Sequence, residues 1–104
     1  MRILKAYEMV EITEKVKYKK YLCILAKNLK KIRLSLYEKY KEMDKENDNP
    51  YSSENIASLL NISRRHYKRL ESPKYVSKNI SIEKLIILSE IYGIKVDDFF
   101  KNEI

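Results

Sequence analysis

The sequence predicts an all-α protein, and three observations support this fold class. Apolar residues recur at three- and four-residue steps through 18–45, which is the period of an amphipathic helix. The 104 residues include one Gly and two Pro, too few for the tight turns of an all-β domain. Serine also stands directly before three predicted helices, in the position of a helix N-cap. A chain of this length suits one domain with a modest core.

The N-terminal segment has an ambiguous pattern. Apolar and polar residues alternate over 10–18, as in a half-buried strand, whereas Leu4 and Tyr7 fit a turn of helix about as well. We therefore predict an arm or short element over 1–17 and a helical domain over 18–104.

A long amphipathic helix is predicted next, at about 18–45. Its apolar residues form one stripe: Tyr18, Leu22, Leu25, Leu29, Ile32, Leu36, Tyr40 and Met43. Such a stripe is typical of a core-facing surface, but it continues for more than three heptads, long enough to reach a second subunit. The polar run at 45–50 then predicts a loop, because Pro50 disfavours helical backbone at Asn49.

Two short helices joined by a tight turn are predicted over 52–71. Ser52 or Ser53 can accept the N–H bonds that open the first helix, and Ser63 those that open the second. Between the two helices, Asn61 tolerates the left-handed backbone that the turn requires.

The second short helix, at 63–71, is strongly basic. Tyr67 and Leu70 share its inner side, which leaves four cations facing mostly outward: Arg64, Arg65, Lys68 and Arg69. Residues 61–78 carry six Lys/Arg against one Glu, and residues 1–31 carry nine against three. This concentration suits a polyanion, which it attracts by steering and counterion release. A solvated, lysine-rich surface is the alternative for both segments.

The C-terminal third predicts two more helices. Ser81 caps an apolar helix that Gly93 ends in the left-handed conformation. A short last helix at about 96–102 places Phe99 against the core.

The composition argues against several classes of protein. The single cysteine, Cys23, cannot form an internal disulfide and is predicted to be a small buried hydrophobe in a reducing compartment. No apolar run is long enough to cross a membrane, and acidic residues interrupt any signal peptide, so we predict a cytoplasmic protein without membrane contacts.

His66 is the only histidine, and the sequence lacks metal-ligand spacings, Gly-rich phosphate loops and nucleophile–base pairs. We therefore predict no catalytic activity, no metal and no cofactor.

The ordered motifs between Leu25 and Phe100 resemble the Cro/repressor-type helix-turn-helix family of phage and bacterial regulators, also called XRE-like. The matching motifs are, in chain order, Ile32–Arg33, Ser52–Ser53, Ile56–Ala57, Asn61–Ile62–Ser63, Leu70–Glu71 and Tyr92–Gly93–Ile94. The resemblance implies a compact five-helix domain of that type, here with an extended first helix and an N-terminal arm. It also implies that Glu71 pairs with Arg33. The connections 33–52 and 71–81 are longer than the family's usual ones, and residues 1–20 have no counterpart in its minimal domain.

The resemblance implies sequence-specific binding of double-stranded DNA, with the recognition helix 63–71 in the major groove. The base contacts that we assign are Arg64, Arg65, Arg69 and His66. An arginine fork matches the O6 and N7 atoms of guanine. From the first turn, His66 can reach a base or a phosphate, and an ordinary surface histidine is the equal alternative.

Phosphate contacts are assigned to the residues around this helix: Ser53, Ser63, Lys68, Lys74, Tyr75, Ser77, Lys78 and Asn79. Ser53 holds the position from which the family often touches a phosphate through a helix N-terminus. For Ser63 the alternative role is a helix cap, and for Tyr75 it is packing over the helix end.

These assignments predict a transcriptional regulator that acts as a homodimer, and we interpret it as a repressor. The alternative function is an antitoxin or accessory module whose residues 1–45 bind a protein partner. Solvent exposure of Leu36, Tyr40 and Met43 in the monomer would favour that alternative.

Overall fold

A computed structural model of the chain describes residues 3, 5–8, 18–44, 47–75 and 80–102. Every regular element over these residues is helical, which confirms the all-α class for this part of the chain. The elements are α1 (Tyr18–Met43), α2 (Ser53–Leu59), α3 (Arg64–Leu70), a 3₁₀ helix (Pro73–Tyr75), α4 (Ile82–Tyr92) and a second 3₁₀ helix (Val96–Phe100). The predicted N-terminal arm lies largely outside the described residues, although the backbone of 6–8 is helical.

Helix α1 is the longest element, with 26 residues and a length of about 39 Å at 1.5 Å per residue. It ends two residues before the predicted limit. Its central part packs into the core through residues that include Leu25, Leu29 and Ile32. Towards its C-terminus Leu36 and Tyr40 are half-buried, whereas Met43 is 84% exposed. Of Leu36, Tyr40 and Met43, only Met43 therefore has the exposure that would favour a protein partner.

The connection between α1 and α2 packs against both helices through Asn49. The Asn49 side-chain amide donates to the carbonyl oxygen of Tyr37 in α1 at 2.9 Å. Its main-chain carbonyl accepts a hydrogen bond from the Asn55 amide in α2 at 2.8 Å. A longer connection than the resemblance would imply is thus tied to both helices through one residue.

Helices α2 and α3 begin and end where the sequence predicts. Ser52, not Ser53, caps α2, because its hydroxyl accepts from the backbone N–H of Asn55 at 3.1 Å. Ser63 caps α3 in the same way, with the N–H of His66 at 3.0 Å. Asn61 has a φ of 57° and makes the left-handed turn between the two helices.

The core joins α1, α2, α3, α4 and the last 3₁₀ helix. Its buried members after α1 are Ile56, Ala57, Leu60, Tyr67, Leu70, Leu85, Leu88, Tyr92 and Phe99. Asn28 fastens the C-terminal segment to α1, since its amide donates to the carbonyls of Phe99 at 2.7 Å and Lys101 at 2.8 Å. The predicted short last helix is therefore present as a 3₁₀ helix, with Phe99 fully buried.

Helix α4 is capped by Ser81 and ends at Gly93, whose φ is 64°, as predicted. Two of its isoleucines face solvent, because Ile82 and Ile86 are both exposed. The prediction for Cys23 needs a correction: its side chain is half-buried, and the thiol donates weakly to the carbonyl oxygen of Pro73 at 4.0 Å. The orientation of α1 places the Cys23 side chain against the segment after α3 and not in the core.

No helix in the described ranges has both the length and the apolar character that crossing a bilayer requires.

Candidate nucleic-acid interface

Helix α3 has two sharply different sides. Tyr67 and Leu70 are buried in the core, whereas Arg64, Arg65 and His66 in its first turn are exposed. Three side chains assigned to base contacts are therefore accessible together at one end of a short helix. The other side of that helix is fixed by packing, so the exposed side chains project from a rigid backbone.

Arg64 is held by a residue of the preceding helix. Its guanidinium Nε donates to the hydroxyl of Ser53 at 3.1 Å, and Ser53 is buried. The two terminal nitrogens of Arg64 make no hydrogen bond to the described part of the chain, so they are free to form a fork. The contact that Ser53 makes here is with Arg64, and its assigned contact with a phosphate stays a prediction.

Arg69 lies over the ring of Tyr75, with its guanidinium carbon 5.3 Å from the ring centroid. This distance is within the range of a cation–π interaction. Arg69 is half-buried, and Tyr75 thus packs over the end of α3, as in the alternative that the sequence left open. Contacts of Arg69 with a base and of Tyr75 with a phosphate stay predictions, and each would compete with this stacking.

A buried ion pair ties the end of α3 to α1. Glu71, the C-cap residue of α3, accepts from Arg33 Nε at 2.6 Å and from Arg33 Nη2 at 3.0 Å. A third bond runs from Arg33 Nη1 to the carbonyl oxygen of Tyr51, just before α2, at 3.3 Å. Burial lowers the pKa of the Arg33 guanidinium. The hydrogen bond to Glu71 and the negative charge of Glu71 raise that pKa by more, so it lies above its ordinary value. The pair that the resemblance implied is therefore present.

Two tyrosine hydroxyls meet behind α3. The hydroxyls of Tyr67 and Tyr92 are 2.7 Å apart. Burial raises the pKa of both phenols above the usual value, and for Tyr67 the nearby Tyr92 and Glu71 raise it further. Both phenols are thus held in the neutral form, and their hydrogen bond joins α3 to α4.

The remaining assigned residues differ in where the structure places them. Ser63 serves as the cap of α3 and is exposed, so its second assigned role, contacting a phosphate, stays a prediction. Lys68, in the last turn of α3, and Lys74, in the 3₁₀ helix that follows, are both exposed. The assigned phosphate contacts at Ser77, Lys78 and Asn79 lie outside the described residues.

The structure also brings together three cations of α1 for which the sequence pattern indicated no individual contact. Lys27, Lys30 and Lys31 of α1 line an open cleft of about 420 Å³ with Lys68 of α3. The signal in the sequence was present, since the three α1 lysines stand at i, i+3 and i+4 and so share a face of one helix. Their proximity to Lys68 is not visible in the sequence, because it depends on how α1 and α3 pack.

The described residues contain no group of three or more His, Cys, Asp or Glu side chains placed to hold a metal ion. The chemistry that this surface offers is hydrogen bonding and charge pairing with an anion. No family model, curated protein or solved structure gives a significant match to this chain.

Proposed function

We propose that the chain is a sequence-specific double-stranded DNA-binding regulator, a repressor that acts as a homodimer with α3 in the major groove. The observation that carries this proposal is the two-sided character of α3. Its first turn presents Arg64, Arg65 and His66 to solvent, while Tyr67 and Leu70 fix its other side in the core.

Rigid presentation matters because base recognition requires an arginine fork to be aligned with one base edge. The bond from Ser53 to Arg64 Nε restrains that side chain before DNA arrives, which lowers the entropy lost on binding. Exposed lysines in the same region supply the phosphate contacts that position a protein without reading sequence.

The order of the helices supports a Cro/repressor-type domain. A long first helix precedes two short helices joined by a left-handed Asn61, and two further helical segments complete the core. The bidentate Arg33–Glu71 pair is the interaction that the resemblance implies.

The small size of the recognition helix favours a homodimer. Helix α3 has seven residues, so one copy presents only a few side chains to base edges. Two copies related by two-fold symmetry place their recognition helices about 34 Å apart, one DNA turn, and double the sequence that is read. We therefore expect the preferred site to be an inverted repeat.

Selection of bound duplexes from a random pool tests this proposal. The expected result is a symmetric consensus whose half-sites lie about one DNA turn apart. The variant R64A/R65A/R69A should lose the selectivity while circular dichroism shows unchanged helical content. A control variant, K39A/K41A/K95A, removes three exposed cations elsewhere and should keep the consensus. Selectivity that survives in the arginine variant would show that α3 is not the recognition helix.

The second candidate function is an antitoxin or accessory module that binds a protein through residues 1–45. The exposure of Met43, at 84%, is the observation in its favour. Replacing Tyr40 and Met43 with serine distinguishes the two functions by analytical ultracentrifugation. A dimer that becomes a monomer assigns the end of α1 to self-association, whereas an unchanged dimer leaves that end available for another protein.

A further inference from the structure

Lysine side chains from α1 and α3 surround one open cleft. The cleft of about 420 Å³ is lined by four lysines, Lys27, Lys30, Lys31 and Lys68, and by residues 71–73. All four lysines are exposed. The three from α1 lie on one face of that helix, where like charges three and four residues apart repel one another.

This positive charge is not neutralised within the described part of the protein. Glu71 is the one acid among the lining residues, and both of its oxygens bind Arg33. None of the four lysines forms an ion pair in the described ranges. An external anion would relieve the repulsion between the lysines and would itself be attracted by their positive charge.

The position of the cleft indicates which anion it would meet. Lys68 follows Arg64 by four residues and Arg65 by three, so it lies on the same side of α3 about one turn, roughly 5.4 Å, further along. The cleft therefore borders the face assigned to base reading. A major groove that holds α3 has a phosphate strand along each wall, and the strand on the Lys68 side of α3 is the one that the cleft would meet.

We propose that Lys27, Lys30 and Lys31, together with Lys68, bind the sugar–phosphate backbone of the DNA strand beside the bases read by α3. This inference rests on the proposed function and adds α1 to the interface. Lysine suits the role, because a point charge on a flexible stem binds phosphate without demanding one geometry. The contacts fix the register of α3 and carry no sequence information themselves.

The salt dependence of binding tests the inference. The variant K27Q/K30Q/K31Q is compared with K39Q/K41Q/K95Q, which loses the same charge from exposed positions outside the cleft. Each phosphate contact contributes about 0.9 to the slope of log K against log salt, and the homodimer loses three contacts in each subunit, so the cleft variant should have a slope shallower by about 5.4. The slope should change equally for the selected duplex and for a random-sequence duplex, and the selectivity ratio should be unchanged. The control variant should keep the wild-type slope.

Lysine footprinting provides a second measurement on the unaltered protein. Acetylation followed by mass spectrometry should show that duplex DNA protects Lys27, Lys30, Lys31 and Lys68. Lys39 and Lys41 should remain reactive. Inorganic phosphate at the same phosphate concentration should protect none of them.

The outcomes separate this inference from the proposed function. Selective binding with an unchanged slope in the cleft variant, or with equal slopes in cleft and control variants, overturns the inference and leaves the proposed function standing. Non-selective binding whose slope still depends on the cleft lysines overturns the proposed function and supports only the backbone contact of these lysines. Protection by inorganic phosphate alone assigns the cleft to a small anion and overturns it. Failure of the protein to bind any duplex overturns both.

Discussion

Glu71→Ala removes the carboxylate that neutralises Arg33 in the interior of the protein. The side chains of Arg33 and Glu71 are only 5% and 2% exposed. In the variant the guanidinium would keep its bond to the carbonyl of Tyr51 but would have no charge partner. Removing one member of a buried, hydrogen-bonded pair costs about 3–5 kcal/mol, because the other charge is left without compensation.

That cost is a large part of the stability of such a domain. A domain of this size has a free energy of unfolding of about 5–15 kcal/mol. Each kcal/mol lowers the melting temperature of a domain near 100 residues by about 4–8 °C, so Glu71→Ala should lower it by at least about 12 °C. Urea denaturation followed by circular dichroism at 222 nm measures the loss directly.

Two control variants isolate the effect of burial. The double variant R33M/E71L removes both charges and replaces them with apolar groups of similar volume, so it should be far more stable than Glu71→Ala. Lys101→Gln breaks the exposed ion pair with Asp98 and should leave the denaturation midpoint nearly unchanged. A Glu71→Ala protein as stable as Lys101→Gln would contradict this prediction, and so would a double variant as unstable as Glu71→Ala.

Two further predictions concern α3 and its neighbours. Burial raises the pKa of Tyr67 and Tyr92 above 10.0 in the folded protein. Above about pH 10 the unfolded chain therefore loses the two phenolic protons before the folded chain does. The stability that the two tyrosines contribute is complete below that pH and decreases above it. Tyr67→Phe should reduce that decrease by about 1 kcal/mol in urea denaturation between pH 10 and 11, because the unfolded phenol is only about half ionised at pH 10; equal slopes for variant and wild type would contradict it. Ser53→Ala frees Arg64 and should weaken binding to the selected duplex by up to about tenfold, with little change for a random duplex. An equal effect of Ser58→Ala, at an exposed position of the same helix, would show that the restraint on Arg64 does not matter.

The ends of the helices were predictable from neighbouring residues alone. Ser63 and Ser81 cap helices where the pattern places them, and Asn61 and Gly93 have the left-handed backbone expected of them. The sequence left Ser52 and Ser53 as alternative caps, and the structure selects Ser52. A cap depends on atoms within about three residues, so its chemistry can be read without knowing the fold.

The assigned base contacts were predictable only in part. The helical period correctly predicted that Arg64 and Arg65 face away from the core. It did so because it placed the apolar Tyr67 and Leu70 on the buried side of the helix. It did not reveal that Arg69 stacks on Tyr75, since that contact depends on the path of the chain after α3. The contacts themselves with DNA remain predictions.

The amino-acid pattern therefore determined the helical class, most helix boundaries and the outward side of α3, all through interactions between near neighbours. The packing of distant segments decided how deeply the Arg33–Glu71 pair is buried, across 38 residues of chain. It also decided that the lysines of α1 meet Lys68 around one cleft. Burial and the summed field of several charges depend on which segments are adjacent in space, and adjacency arises only when the core forms.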